Sequence, residues 1–570
     1  MNKKDLPFII PLIILAVAWG PIYSKFLKKE QPAAEIVQAP AAKPVAGETE
    51  LKARVEKTTE AVAEVKAVVA ENAEEIVLEN DKLVLTLSSA GGSVVSAVLK
   101  DYSTENKEDS ASVAFSFADQ PALAYAGMNE LSAAQVLAAQ KIDEKTVLFT
   151  KTLSSGLTFS RRIELGDAYA VEVKDQVMNP TDAPVVMPAL KVGTGLMLDN
   201  SKGKQMRGIS LLGADSRVSG DLKYWGRKLH KLYKLGGNAD RIDVAPEKVM
   251  SGTVDWVSAK NKFFTQIIVP HGGIAQQFYV QANKEPGKKG KTVSVASSVE
   301  MAGGELGIKE SRDYAYTYYV GPKDYGILEA SGYAMEDVME FRTIGFWRGM
   351  NFVMEPARKF LRWLLVRIHA LIPNYGVAII LLTLIVRGIF WPLTHKSTES
   401  MKRMSEIQPK VKELQAKYAN NPQVMQQETM KLYKENKVNP AAGCLPMFIQ
   451  IPVFFALYTV LRSAIELRFS EFLWIADLSE PENLFAGMIP FVGSLNILPL
   501  LMTATMVLQQ HMTPSSADPQ QKQMMTIMPL MMLFIFYTMP SGLTLYWTTS
   551  NVVMIVQLLF RRLKEKKAKA

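Results

Sequence analysis

The stretch Gly376-Val377-Ala378-Ile379-Ile380-Leu381-Leu382-Thr383-Leu384-Ile385-Val386-Arg387-Gly388-Ile389-Phe390-Trp391-Pro392-Leu393 carries a single charge. A bilayer core needs roughly 17–25 apolar residues, so this run predicts a transmembrane helix. Arg387 lies eleven residues from Gly376, about 16 Å along a helix axis. A charge near mid-bilayer costs roughly 2.5–3.5 kcal/mol, so it needs an ion partner, a water-filled cavity or a route to the headgroups. The later apolar runs hold few acids, and Glu466 sits at a membrane edge. The residues therefore point to an aqueous cavity, with snorkelling and a buried ion pair as alternatives.

Four further apolar runs follow, at 445–465, 495–511, 524–539 and 542–560. Pro446, Pro452 and Pro529 will bend them. Between the first and second runs, 394–438 holds nine Lys/Arg against five Glu, net +4. The tail 561–570 is net +5, and the loop 466–494 is net −4. Basic segments stay cytoplasmic, which places the acidic loop and everything just before residue 375 outside. An N-terminal apolar run, 6–23, then crosses with its own start inside. It is flanked by Lys3, Lys4, Lys25, Lys28 and Lys29. Ala16-Val17-Ala18 also fits a signal-peptide cleavage site, an alternative that would export the next domain equally well.

The chain has 570 residues, is 48% hydrophobic and carries net charge +9. Mean hydropathy is only +0.05, because a largely soluble first two thirds precedes the apolar runs. One cysteine, Cys444, excludes an intrachain disulfide framework and a Cys-cluster metal site. The five histidines are scattered, and no HExxH, CxxC or GxxxxGK[ST] motif occurs. No cofactor and no specific nucleic-acid sequence is implied.

Residues 25–74 are rich in Ala, Glu, Val, Lys and Pro and predict a linker. From residue 75 the pattern alternates, with Leu83-Val84-Leu85-Thr86-Leu87 and Gly91-Gly92 opening a series of short strands. Further strands are predicted at 146–152, 157–164, 168–177, 265–269, 277–282 and 314–320, as in a large antiparallel sandwich. Residues 336–374 become amphipathic. Phe346, Trp347, Phe360 and Trp363 mix there with Arg348, Arg358, Lys359, Arg362 and Arg367. That mixture suits a membrane interface, and packing on the β-domain is the alternative. In the basic loop, Met404, Ile407, Val411, Leu414 and Tyr418 recur at helical spacing. Asn420-Asn421-Pro422 then splits a helical hairpin whose basic outer face could dock a ribosome or targeting factor.

Thr383 lies one turn before Arg387. Gln450, Gln509, Gln510, Tyr546, Trp547, Thr548-Thr549-Ser550 and Asn551 place polar groups on other runs. They suit a wet groove, or ordinary hydrogen bonds between membrane helices. Ten of the 28 methionines fall between Met502 and Met554. Flexible thioethers suit varied apolar partners, although lipid-facing packing accounts for most.

Several of these stretches occur together in one known family. They are Ile385-Val386-Arg387-Gly388 with Pro392-Leu393-Thr394, Lys437-Val438-Asn439-Pro440, Gly443-Cys444-Leu445-Pro446, Gln450-Ile451-Pro452, Met528-Pro529, Pro540-Ser541-Gly542-Leu543-Thr544-Leu545-Tyr546-Trp547 and Ser550-Asn551. In that order they resemble the YidC-type insertases, relatives of mitochondrial oxidase-assembly and chloroplast Albino-type proteins. Looser matches are Gly91-Gly92, Gly166-Asp167-Ala168-Tyr169-Ala170 and Val320-Gly321-Pro322. The resemblance implies the Gram-negative form, a polytopic α-helical inner-membrane protein with six transmembrane helices, five of them forming the core. Its parts would be an anchor at 1–24, the linker, a periplasmic all-β supersandwich at 75–335, an interfacial helix at 336–374, an insertase core at 375–560 and a basic tail.

The family's groove arginine falls on Arg387, and its groove partners on Thr383, Gln510 and Trp547. Tyr546 and Gln450 join them from the residue reading. Trp547 stands where some members have tyrosine, so an aromatic role carries over and a hydroxyl role does not. The implied function is non-enzymatic insertion and folding of nascent inner-membrane proteins, alone or with the Sec translocon. Rival readings are a transporter or channel with Arg387 as an anion site, and a tethered carbohydrate enzyme. Residues 484–491 are apolar, and this reading assigns them no place.

Overall fold

The computed structural model describes residues 70–569 except 108, 200–210, 227–240, 245–251, 285–291, 343–350, 437, 439–444, 463, 487, 489–493 and 514–518. The expected N-terminal anchor and nearly all of the linker lie outside the described residues.

The first half is all β apart from short helical turns. A nine-stranded antiparallel sheet runs, edge to edge, Asp221–Tyr224, Gly213–Val218, Val254–Lys260, Phe264–Pro270, Ser311–Pro322, Ala170–Met178, Thr158–Leu165, Thr146–Thr152 and Ala138–Lys141. A six-stranded sheet centred on Ala275–Lys284 and Thr292–Met301 packs against it. Ser297 donates to the Ser258 carbonyl at 2.8 Å and Tyr318 to the Thr194 carbonyl at 2.9 Å, both between sheets. A four-stranded sheet, Glu75–Glu79 to Ser112–Ser116, completes the core. Strand formation follows the alternation: in Thr158–Leu165, Phe159, Arg161, Ile163 and Leu165 are the buried positions.

Arg161 is the exception to that apolar rule, and every one of its guanidinium nitrogens is bonded. Its Nε and one terminal nitrogen each donate to Asp175 at 2.8 Å, in a bidentate pair across adjacent strands. The other terminal nitrogen reaches the carbonyls of Leu123 at 2.7 Å and Gly92 at 3.0 Å, on a neighbouring segment. Tyr125 and Tyr316 donate to the same carboxylate. Burial pushes both phenols well above their ordinary pKa, so they remain donors.

A short helix, α1 (Tyr325–Ala330), capped by Asp324, leads out of the β-domain. Eight helices follow: α2 (Asn351–Leu371), α3 (Tyr375–Glu406), α4 (Gln408–Lys417), α5 (Pro422–Glu435), α6 (Leu445–Leu461), α7 (Ile497–Met512), α8 (Pro519–Phe536) and α9 (Ser541–Lys569). The Asn374 side chain caps α3 by accepting from Val377 N at 3.0 Å. Among the described residues two stretches are long and apolar enough to cross a bilayer unaided, Tyr375–Glu406 and Ser541–Lys564. The shorter apolar stretches are Gln450–Leu461 and Ile527–Phe536. The expected count of six spans thus exceeds what length and apolarity alone mark among the described residues.

One sequence expectation is corrected. The seam from Met404 to Tyr418 is not one helix: α3 ends at Glu406, and Pro409 opens α4, because proline fits a first turn and breaks an interior. On α2, two of the basic residues are taken up by protein contacts, while Lys359 and Arg367 stay exposed. Arg358 is buried and donates to the Phe341 carbonyl, and Arg362 pairs with Glu466 at 2.8 Å. What α2 exposes is chiefly apolar, including Phe352, Phe360 and Trp363.

Charged contacts join the two halves. Lys262 donates to the Ser479 carbonyl at 2.7 Å and pairs with Glu480, and Arg462 pairs with Glu340. Near the start of α3 the packing is tight, since a Cβ on Gly376 would fall 2.1 Å from the Phe472 ring. Gly376→Ala should therefore lower stability by roughly 1–3 kcal/mol. Thermal unfolding of that variant, with and without Phe472→Ala, checks this: the second change should recover part of the loss.

Candidate functional site

Arg387 sits past the midpoint of the apolar half of α3. Its Nε donates to Ser550 Oγ on α9 at 2.6 Å. Tyr546 lies one turn before Ser550 on the same face of α9, and its hydroxyl accepts from Gln450 Nε2 on α6 at 2.7 Å. Four polar side chains from three apolar helices thus form a broken line: Gln450 to Tyr546, and Ser550 to Arg387. Among the described residues no carboxylate lies within ion-pair distance of Arg387. Arg387 is half-buried, and the adjacent Gly388, about 100° round the helix, is exposed, with nothing within 4 Å of a Cβ built on it. A hydroxyl cannot neutralise a guanidinium, so among the described residues the arrangement leaves the positive charge without an anionic partner.

The other expected site residues lie differently. Thr383 is fully buried, and its hydroxyl donates to the Ile379 carbonyl at 2.7 Å, the usual back-bond of threonine in a helix. Its one donor is therefore taken up by its own helix. Trp547 is half-buried in an aromatic cluster, 5.1 Å from Phe454 and 5.3 Å from Phe536 between ring centres. Gln510 is half-buried in the last turn of α7, with no side-chain hydrogen bond to Arg387. Asn551 is buried and reaches Thr505 Oγ1 at 3.3 Å, tying α9 to α7.

In the hairpin of α4 and α5 and the end of α3, Ile407 and Val411 are buried, while Met404, Leu414 and Tyr418 are half-buried. Asn421 caps α5 by accepting from Val424 N at 3.3 Å. Ser550 as the direct partner of Arg387 was not legible beyond its membership of a hydroxyl cluster. Its i, i+4 spacing from Tyr546 was the available signal.

Comparison with known proteins agrees with this architecture. The family described as 60Kd inner membrane protein matches residues 367–568, and the YidC periplasmic domain matches residues 75–346. The membrane protein insertase YidC of Pelobacter propionicus is 32% identical, over 98% of this chain and 99% of its own. That of Syntrophobacter fumaroxidans is 40% identical over 54% of each chain. A solved YidC insertase covers 89% of this chain and 97% of its own, at 19% identity and TM-score 0.34. The chain belongs to the YidC family of membrane protein insertases.

Proposed function

We propose that insertion runs through a wet groove between α3 and α9, with Arg387 as its attracting charge. The observation that carries this reading is the half-buried guanidinium held by a hydroxyl, with no carboxylate beside it among the described residues, in the apolar half of α3. A short acidic tail of a nascent membrane protein enters the groove from the cytoplasm. At an effective dielectric of ~20, a carboxylate ~4 Å from Arg387 gains about 4 kcal/mol. That gain offsets part of the cost of taking the tail out of bulk water. The apolar segment behind it then leaves sideways into lipid, driven by the hydrophobic effect.

In this reading helices α3 and α6 to α9 are five spans, preceded by the N-terminal anchor, with both termini cytoplasmic and the β-domain periplasmic. The basic hairpin and tail receive the ribosome or a targeting factor, and the Sec translocon acts with the insertase on some substrates. Photo-crosslinkers at positions 450 and 547 test the route against a stalled nascent chain. Both should trap the chain, while one at Val186 in the β-domain should not. Equal trapping at all three positions would reject the groove.

A further inference from the structure

We infer that the turn at Leu473 and Trp474 is a lipid anchor, dipping into the headgroup–acyl boundary of the outer leaflet. This rests on the proposal that α3 spans the membrane with its first turn outside. Phe472 and Ile475 exchange both backbone hydrogen bonds, each at 2.9 Å, closing a two-residue hairpin turn. Such turns favour Asn, Asp or Gly, because they need positive φ. Here Leu473 occupies the left-handed region, at φ 53°, where a leucine is disfavoured. Leu473 is 76% exposed and Trp474 41%. Strained backbone thus presents two large apolar side chains to the surroundings, where a water-facing turn would carry polar residues.

The surroundings decide what covers them. Phe472 packs on Gly376 in the first turn of α3, and Asn374 Nδ2 donates to the Glu471 carbonyl at 3.4 Å. The turn is therefore fastened to the corner between α2 and α3, where Leu371 is 84% exposed and Ile372 40%. Leu371, Ile372, Leu473 and Trp474 sit on one corner, directly continuous with the start of the α3 span. The polar contact points elsewhere: the Glu471 carboxylate accepts from Asn106 of the β-domain at 2.7 Å. An apolar patch at a span's outer end, with an indole at its edge, fits the chemistry of phospholipid at that depth. The same short segment thereby joins the β-domain to the membrane surface.

Full-length protein with Cys444→Ser provides the test, reconstituted in vesicles of phosphatidylethanolamine and phosphatidylglycerol containing brominated phosphatidylcholine. A polarity-sensitive fluorophore is placed on one introduced cysteine at position 473, 371, 384 or 186. Probes at 473 and 371 should be quenched by bromolipid at least about twofold more than the probe at 186. They should also be shielded from aqueous iodide. Quenching at 384 without quenching at 473 or 371 would overturn the anchor and leave the spanning helix standing. No quenching at 384 would remove the spanning reading, and the anchor with it. Iodide shielding at 473 without lipid quenching would mean that protein covers the turn, again overturning the proposal.

Discussion

Arg387→Glu lowers insertion of a substrate with an acidic leading tail by about tenfold or more, while Arg387→Lys stays within about threefold of the parent. The first follows from reversing an attraction worth several kcal/mol at close range, where ~1.4 kcal/mol corresponds to tenfold. The second follows because lysine keeps the charge and can still donate to Ser550 Oγ, although it loses the planar fork. Arg387→Ala falls between them, since it removes attraction without adding repulsion. Protease protection of the inserted tail in vesicles reads the effect. A substrate whose tail carries no acid should be nearly indifferent to all three changes. If the acidic and neutral tails respond alike, Arg387 does not act through charge.

The second large effect lies far from the membrane. Arg161→Leu should cost the β-domain roughly 3–5 kcal/mol, because it leaves the buried Asp175 carboxylate with only two phenol donors. For a domain of this size that corresponds to a fall in melting temperature of roughly 10 °C. Asp175→Leu should be similar, stranding a guanidinium that is 0% exposed. The double replacement should cost clearly less than the two single costs together, because it removes both charges from the interior. Calorimetry of the full chain in detergent measures all three. Additive losses would mean that the pair is not acting as a unit.

The sequence made the coarse architecture readable because its two periodicities are strong. The strand at 146–152 was predicted with the bounds it has in the structure, and all five apolar runs are helical. Near-continuous apolar runs and alternating patterns report only on the local chain. What was not legible is the pairing of individual side chains. The contacts of Arg358 with the Phe341 carbonyl and of Arg362 with Glu466 cannot be read from the local amphipathic pattern. Thr383 shares a face with Arg387, and its hydroxyl donates to a carbonyl one turn back, a bond that spacing alone does not announce. Arg161 was passed over, although a charge at an inward strand position was itself a signal. Its partner fourteen residues on lies directly opposite on the neighbouring strand.

Pro392, inside α3, has a consequence for where solvent must reach. Proline carries no amide hydrogen, so the carbonyl four residues earlier, that of Gly388, loses its α-helical donor. Gly388 adds no side chain to cover that oxygen, and the space beside it is open. An uncovered carbonyl in hydrocarbon is expensive, and hydration is the nearest remedy. The helix backbone thus asks for water one residue beyond the guanidinium, toward the C-terminal end of α3. Restoring an amide with Pro392→Ala would let that stretch dry out, even with Arg387 itself untouched.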